Sequence, residues 1–229
     1  MERLTGALTP DEVIVKLRET LPQDAWIGGD LHCSHALAAA QFIASVVFLG
    51  KLRDNGSPYI SHLEDVAAQF PRDINKKTVA WLHDVLEDSI WTKENLEEAG
   101  FSGTIINAVI AMTREVKPCG QKEPYFDFIE RCGQNEIARD VKTADLENNG
   151  VIVRDPLHTK PEKILRYQIS YRYLRAIDNG DITPGTHLSR FIANNVALHN
   201  DTEVQEIFQR NSTGKWPVLS STGGNCCTL

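Results

Sequence analysis

Asn75-Lys76-Lys77-Thr78-Val79-Ala80-Trp81-Leu82-His83-Asp84-Val85-Leu86-Glu87-Asp88 is the stretch on which the fold turns. Val79, Leu82 and Leu86 recur at the three- and four-residue offsets of a helix face, and Asn75 is a side chain suited to capping its start. Read as one helix, it sets His83 over Glu87 and Asp84 over Asp88, because positions i and i+4 share a face. An imidazole and carboxylates turned to one pocket are costly unless a cation compensates them. A divalent ion bound by imidazole and carboxylate would do so. Taken alone, a His-Asp dipeptide is more often chance than chemistry.

Helical signals continue in both directions. Thr9-Pro10-Asp11-Glu12 supplies an N-cap, a proline at the first helical position and two acids that suit the helix dipole, with Val13, Leu17 and Leu21 as the apolar stripe behind them. A second helix is expected from about Ser34 to Leu49, with Leu37, Phe42, Val46 and Leu49 as core positions. Turn-forming residues at Arg53-Asp54-Asn55-Gly56-Ser57-Pro58 precede a short helix from Ile60 to Phe70, which Pro71 ends. Thr92 opens another with a partial capping box, since Asn95 stands where Glu or Gln is ideal, and Gly100 closes it. Thr104 to Met112, Pro124 to Cys132, Glu136 to Glu147 and Pro161 to Ile177 complete the series, with an irregular stretch from Gly150 to Lys160. No alternation long enough to demand a sheet, and no internal repeat, interrupts it. The expected fold is all-α, a compact multi-helix bundle. One domain is expected over residues 1–180, and a C-terminal extension over 181–229 that is partly helical and then, from about Asn211, a mobile tail.

Composition narrows the function. Lys and Arg number 24 against 31 Asp and Glu in 229 residues, a net charge of −7. Gripping nucleic acid through its phosphates needs a basic surplus, so nucleic acid is not an expected partner, while a local pocket for a small phosphorylated ligand is still allowed. No apolar run approaches the roughly 20 residues of a membrane span and no leader pattern opens the chain, so no membrane partner is expected either. Five cysteines (Cys33, Cys119, Cys132, Cys226 and Cys227) lack framework spacing and fit free thiols in a reducing cytoplasm. Cys226-Cys227-Thr228-Leu229 has the outline of a lipidation signal without its aliphatic third residue or a basic stretch before it. His32, Cys33 and His35 are too few to close a structural zinc site and read as polar residues at a helix start.

Two further stretches change the weight of His83-Asp84. Gly56-Ser57-Pro58-Tyr59-Ile60-Ser61-His62 stands upstream and Val141-Lys142-Thr143-Ala144-Asp145-Leu146-Glu147-Asn148-Asn149 downstream. The order G-x-P-Y-I-x-H, then L-H-D-V-x-E-D-[ST], then V-K-x-A-D-x-x-x-N resembles the His-Asp (HD) hydrolase domain of the Rel/Spo alarmone enzymes. It is most similar to the stand-alone versions, the small alarmone hydrolases, since no synthetase domain fits in this length. The resemblance spans about Ala36 to Asn149, roughly half the chain.

That resemblance implies a metal held by His62, His83, Asp84 and Asp145, with Mn²⁺ the family's usual ion; ligand chemistry alone also admits Zn²⁺, Fe²⁺ or Co²⁺. It implies that Glu87 and Asp88 activate or order the attacking water. Asn149 falls on the asparagine that helps to hold the nucleotide, and Arg53 on a basic residue of the turn, suited to a base face or a phosphate. Tyr59 falls on the motif tyrosine and Lys142 on the motif lysine. From chemistry alone, Tyr59 also reads as a packed ring, Lys142 as a charge on a solvated face or a cap for acids near the metal pocket, and Arg53 as a surface charge. The implied reaction is Mn²⁺-dependent hydrolysis of (p)ppGpp to pyrophosphate and GDP or GTP, which lowers the alarmone pool.

The chain also departs from the family pattern. Phe48 stands near the place of a frequent histidine, Asp54 replaces a cation before the turn glycine, and Gly150-Val151-Ile152-Val153-Arg154 replaces a basic, Thr-containing segment. Asp54 and that segment motivate an alternative substrate for the same site: ppApp, NADPH or a nucleoside monophosphate. A non-catalytic alarmone binder or antitoxin-type protein is a rival of another class, disfavoured by the intact Glu87-Asp88 pair. The segment after Pro161 has three readings: it completes the core, covers the pocket or makes a contact in a homo-oligomer.

Overall fold

Thr9 starts the first helix through a reciprocal cap: its hydroxyl accepts from Glu12 N at 3.3 Å, and the Glu12 carboxylate accepts from Thr9 N at 2.7 Å. The computed structural model describes residues 8–151 and 160–215. Helix α1 (Pro10–Thr20) leads to a two-stranded hairpin, β1 (Trp26–Ile27) with β2 (Asp30–Leu31), and then α2 (Cys33–Val47), α3 (Tyr59–Ala68) and α4 (Ile74–Leu82). After these come α5 (Val85–Asp88), α6 (Lys93–Glu98), α7 (Gly103–Met112), α8 (Tyr125–Cys132) and α9 (Glu136–Leu146), which runs into a π-helical turn, Glu147–Val151. The chain resumes in α10 (Pro161–Asp178), α11 (Leu188–Ala193), α12 (Val196–His199) and α13 (Thr202–Asn211). The fold is all-α, and among the described residues no helix is long and apolar enough to cross a membrane.

One cluster of buried apolar side chains extends from Val13 on α1 to Phe208 on α13. Residues 181–215 therefore share the core of the residues before them. Leu188, Ile192, Val204 and Phe208 are buried, and Phe208 stacks on Phe126 with ring centroids 6.0 Å apart. The start of the expected mobile tail is tied down: Ser212 Oγ and Thr213 N both donate to Asp127 Oδ1 at 3.0 Å. Residues 216–229, with Cys226 and Cys227, lie outside the described residues, as do Arg154 and His158.

Helix α2 forms where it is expected but turns a different face inward. Ala36, Ala39, Ala40, Ile43 and Ala44 are buried, whereas Leu37, Phe42 and Val46 are only partly so and Leu49 is 79% exposed. Helix α2 packs most extensively against α4, and small side chains let the two backbones approach. Size thus outweighs hydrophobicity in choosing the face. Two caps also differ from expectation. Asp73, not Asn75, caps α4, accepting from Lys76 N at 2.9 Å. Asn95 completes the reciprocal cap of α6 with Thr92, its amide oxygen doing the work of a carboxylate.

Two glycines are required by geometry. Gly100 has φ +89°, and a Cβ there would lie 2.8 Å from Trp26 Nε1, where the β1–β2 hairpin packs on the end of α6. Gly56, at φ +80°, turns the loop that brings Arg53 back along Ser57; Arg53 N donates to Ser57 O at 2.8 Å. Replacing Ala40 by Leu should cost about 1–3 kcal/mol through overpacking against α4, while Leu49→Ala should stay within about 0.5 kcal/mol of the parent. Urea unfolding of both variants checks which face of α2 is inside.

Candidate metal centre

The expected single helix through His83 is broken. Helix α4 ends at Leu82, Asp84 adopts φ −101° and ψ −4°, and α5 begins at Val85. A local cause is visible: the His83 ring takes the Ala80 carbonyl, Nδ1 to O at 2.7 Å, which a continuing helix reserves for its own ladder. The i, i+4 alignment of His83 with Glu87 therefore gives way to a turn that aims His83 and Asp84 at the same point. Glu87 and Asp88 stand at the cavity rim instead, paired with Lys122 at 2.9 Å and Lys51 at 2.6 Å.

Three helices converge there. His62 comes from α3, His83 and Asp84 from the end of α4, and Asp145 from α9. His62 Nε2 lies 3.2 Å from Asp145 Oδ1 and 3.9 Å from Asp84 Oδ2. His83 Nε2 lies 3.1 Å from Asp84 Oδ2 and 3.7 Å from Asp145 Oδ1. His62, His83 and Asp145 are buried, and their ligand atoms all fall within 4.8 Å of one another, a group that can hold a metal ion.

Donor chemistry supports that reading. His62 Nδ1 contacts Asn148 Oδ1 at 2.9 Å, and His83 Nδ1 contacts the Ala80 carbonyl. Each acceptor holds a proton on Nδ1 and turns Nε2 towards the cluster, the orientation a metal-ligating imidazole requires. His83 Nε2 is fully buried and, despite its closeness to Asp84, has no aligned hydrogen-bond partner among the described residues. A buried polar atom in that state is rare and fits a ligand position. Behind it, Asn148 Nδ2 donates to Asp65 Oδ2 at 3.1 Å, fixing the amide that orients His62.

Asp145 is the most heavily solvated by protein. Its Oδ2 accepts from Lys142 Nζ at 2.7 Å and its Oδ1 from Asn149 Nδ2 at 2.5 Å. Burial opposes its charge, but Lys142 and the two imidazoles overcome this and hold the carboxyl well below its ordinary range. Lys142 is in turn held charged by Asp145 against its own burial. Tyr59 donates its hydroxyl to Asp84 Oδ2, and burial together with the Asp84 charge keeps that phenol protonated. Burial works against a proton on His83, yet Asp84 and Asp145 push its pKa up to about 10.

The expected site residues gather around one cavity of about 510 Å³. Arg53, Tyr59, Asp84, Glu87, Asp88, Lys142, Asp145 and Asn149 line it, while His62 and His83 lie beneath its floor. Arg53 reaches Asn148 Oδ1 at 3.2 Å and Asn149 Oδ1 at 3.3 Å, so turn and π-helical segment are tied together. Asn148 and Asn149 follow Asp145 by three and four residues, offsets that share a helix face. That spacing is a signal for Asn148 which the motif reading passed over. Arg114, Tyr125, Lys163, Arg166 and Tyr167 also line the cavity, and no local pattern marks them. His32, Cys33 and His35 stand at the start of α2, with His32 as N-cap. No protein-family model and no curated protein sequence matches this chain.

In the metal-free protein, a His83 pKa raised from 6.5 to about 10 contributes stability that is complete below pH 6.5 and lost as pH rises through 10. Chelated protein should lose at most about 1.4 kcal/mol per pH unit from this proton across that window. A bound divalent ion replaces the proton, so thermal melts with added metal should show a flatter profile there. Lys142→Met should destabilise the chelated protein by about 3–5 kcal/mol by stranding the Asp145 charge, and divalent metal should recover part of the loss. A parent-like melt of the variant in EDTA would show that Lys142 is not the counter-ion.

Proposed function

We propose that the chain is a metal-dependent phosphohydrolase of the alarmone type, acting as a Mn²⁺-dependent (p)ppGpp 3′-pyrophosphohydrolase. The observation that carries the reading is the pair of imidazoles, each locked through Nδ1, whose Nε2 atoms converge with Asp145 and Asp84 at the floor of a cavity lined by both basic and acidic side chains. The three ordered motifs and their resemblance to the Rel/Spo hydrolase domain supply the substrate class.

His62, His83, Asp84 and Asp145 are the residues that would hold the ion. When bound, it would supply a water of lowered pKa and withdraw charge from a phosphoryl oxygen. Glu87 and Asp88, on the same cavity, are the carboxylates available to order that water and accept its proton. Lys122 and Lys51 pair with them there. Attack at phosphorus of the 3′-pyrophosphoryl group breaks the bond to the 3′ oxygen and releases pyrophosphate with GDP or GTP. Arg53 and Asn149, hydrogen-bonded to each other, form a planar polar edge for the nucleotide. Lys142 serves the reaction from behind, by keeping Asp145 anionic.

One observation favours a second substrate. Asp54 lines the cavity beside Arg53, where a cation would suit a guanine polyphosphate. An adenine analogue such as ppApp, or NADPH, is the alternative for the same chemistry.

The test is an end-point assay with Mn²⁺ or EDTA, offering ppGpp, pppGpp, ppApp and NADPH separately and resolving products by ion exchange. Pyrophosphate and GDP from ppGpp, only with metal, is the expected result. Asp145→Ala should lose metal and activity together, whereas Glu87→Ala should keep metal and lose turnover about 10²- to 10⁴-fold. Turnover of ppApp or NADPH alone moves the substrate. A folded, metal-loaded protein inert to all four would sink the hydrolase reading.

A further inference from the structure

The turn before α3 fastens Arg53 through its backbone. Arg53 N donates to Ser57 O at 2.8 Å, Arg53 O accepts from Gly56 N at 2.9 Å, and Tyr59 N closes the turn on Lys51 O at 2.9 Å. From there the partly buried guanidinium reaches the π-helical turn with both terminal nitrogens. Its Nη1 donates to Asn148 Oδ1 at 3.2 Å and its Nη2 to Asn149 Oδ1 at 3.3 Å. Adjacent residues of an α-helix point about 100° apart. The two amides accordingly serve different members of the cluster: Asn148 contacts His62 Nδ1 at 2.9 Å, and Asn149 donates to Asp145 Oδ1 at 2.5 Å. One planar fork spans both.

Which way round the Asn148 amide sits decides what His62 can do. An asparagine offers an oxygen that accepts and a nitrogen that donates, and its shape prefers neither orientation. A guanidinium only donates, so Arg53 demands the oxygen on its own side. The Asp65 carboxylate accepts from Asn148 Nδ2 at 3.1 Å and demands the nitrogen on the other. The two agree on one orientation, and it sets the oxygen against His62 Nδ1. Turned over, the same amide would place its NH₂ there, favour a proton on Nε2 and take a ligand from the ion site. Asn148 is buried, which makes a mismatched orientation costly.

We propose that Arg53 and Asp65 are positioning residues of the metal centre, both acting through Asn148 on His62 and Arg53 also through Asn149 on Asp145. These roles rest on the metal-binding part of the proposed function, not on its substrate or its reaction. Arg53 thus has a task that precedes any nucleotide, and the turn that carries it belongs to the ion site without supplying a ligand atom. Arg53 needs both arms of its fork for this, so lysine is not an equivalent. Asp65 needs only an acceptor, so its charge is dispensable.

Calorimetric titration of the metal-free full chain with Mn²⁺ tests this without any nucleotide. Arg53→Gln should weaken Mn²⁺ about 10-fold or more, and Arg53→Lys should recover only part of the loss. Asp65→Leu should weaken it by about 10-fold as well, whereas Asp65→Asn, which can turn an amide oxygen to Asn148, should stay within about 3-fold of the parent. In an Asn148→Ala background Asp65→Leu should cost nothing further, because the relay is already gone. Melting temperatures in EDTA, measured on every variant, separate these losses from loss of fold. Mn²⁺ affinity that ignores Arg53→Gln or Asp65→Leu in a folded variant overturns the role of that residue and leaves the metal centre standing. Should Arg53→Gln fail to fold, parental affinity in Arg53→Lys overturns its role instead. Equal losses from Asp65→Leu with and without Asn148 overturn the relay. A folded parent that binds no Mn²⁺ overturns centre and roles together. The expected losses in a protein inert to all four nucleotides support the roles while refuting the hydrolase reading alone.

Discussion

Everything at the centre of this molecule depends on keeping one carboxylate charged out of reach of water. Asp145 is 3% exposed, and burial of an uncompensated anion would cost far more than a domain's net stability. Its compensation comes from an ammonium, an amide and two imidazoles delivered by α3, α4, α9 and the π-helical turn. Those helices cannot shift independently without stripping Asp145 of a partner. The charge requirement therefore acts as a positional constraint on the bundle.

The same constraint separates the residues of the candidate cation cluster from those that tune them. Asn148 and Ala80 O select the imidazole tautomers, and Tyr59 and Lys142 fix the carboxylates. A residue read as substrate-binding can thus owe its place to the charge balance below the pocket. Lys142 is such a case: its ammonium is used by Asp145 and packs 5.4 Å from the Phe128 ring. Arg53 keeps both aspects, since it anchors the asparagines and still faces the cavity.

Much of this was legible before any coordinates. Helix existence followed from caps and spacing, as with Thr9 and Pro10, and the ordered motifs brought His62, His83, Asp84 and Asp145 to one place. What could not be read depended on tertiary contact. The inward face of α2 is chosen by how closely α4 approaches, which favours alanine over the leucine that periodicity selects. The break at His83-Asp84 comes from a side chain competing for a backbone carbonyl, so a face drawn on an ideal helix misplaced Glu87. Arg166 and Tyr125 stand 41 positions apart on separate helices, and nothing local to either signals the pair.

The bond between His62 and Asn148 spans 86 positions, and that between Arg166 and Asn211 spans 45. Closing such loops costs entropy before any contact rewards it. During synthesis the chain is read from one end, so the cluster that can take a cation has all its members once α9 has emerged, while the cavity residues of α10 are still to come and α13 follows later still. The molecule acquires its parts in a set order, the cluster that can take a cation before the part of the cavity lining that α10 supplies. A ribosome-stalled chain ending near Leu146 would carry every member of that cluster and none of the residues that α10 adds to the cavity lining.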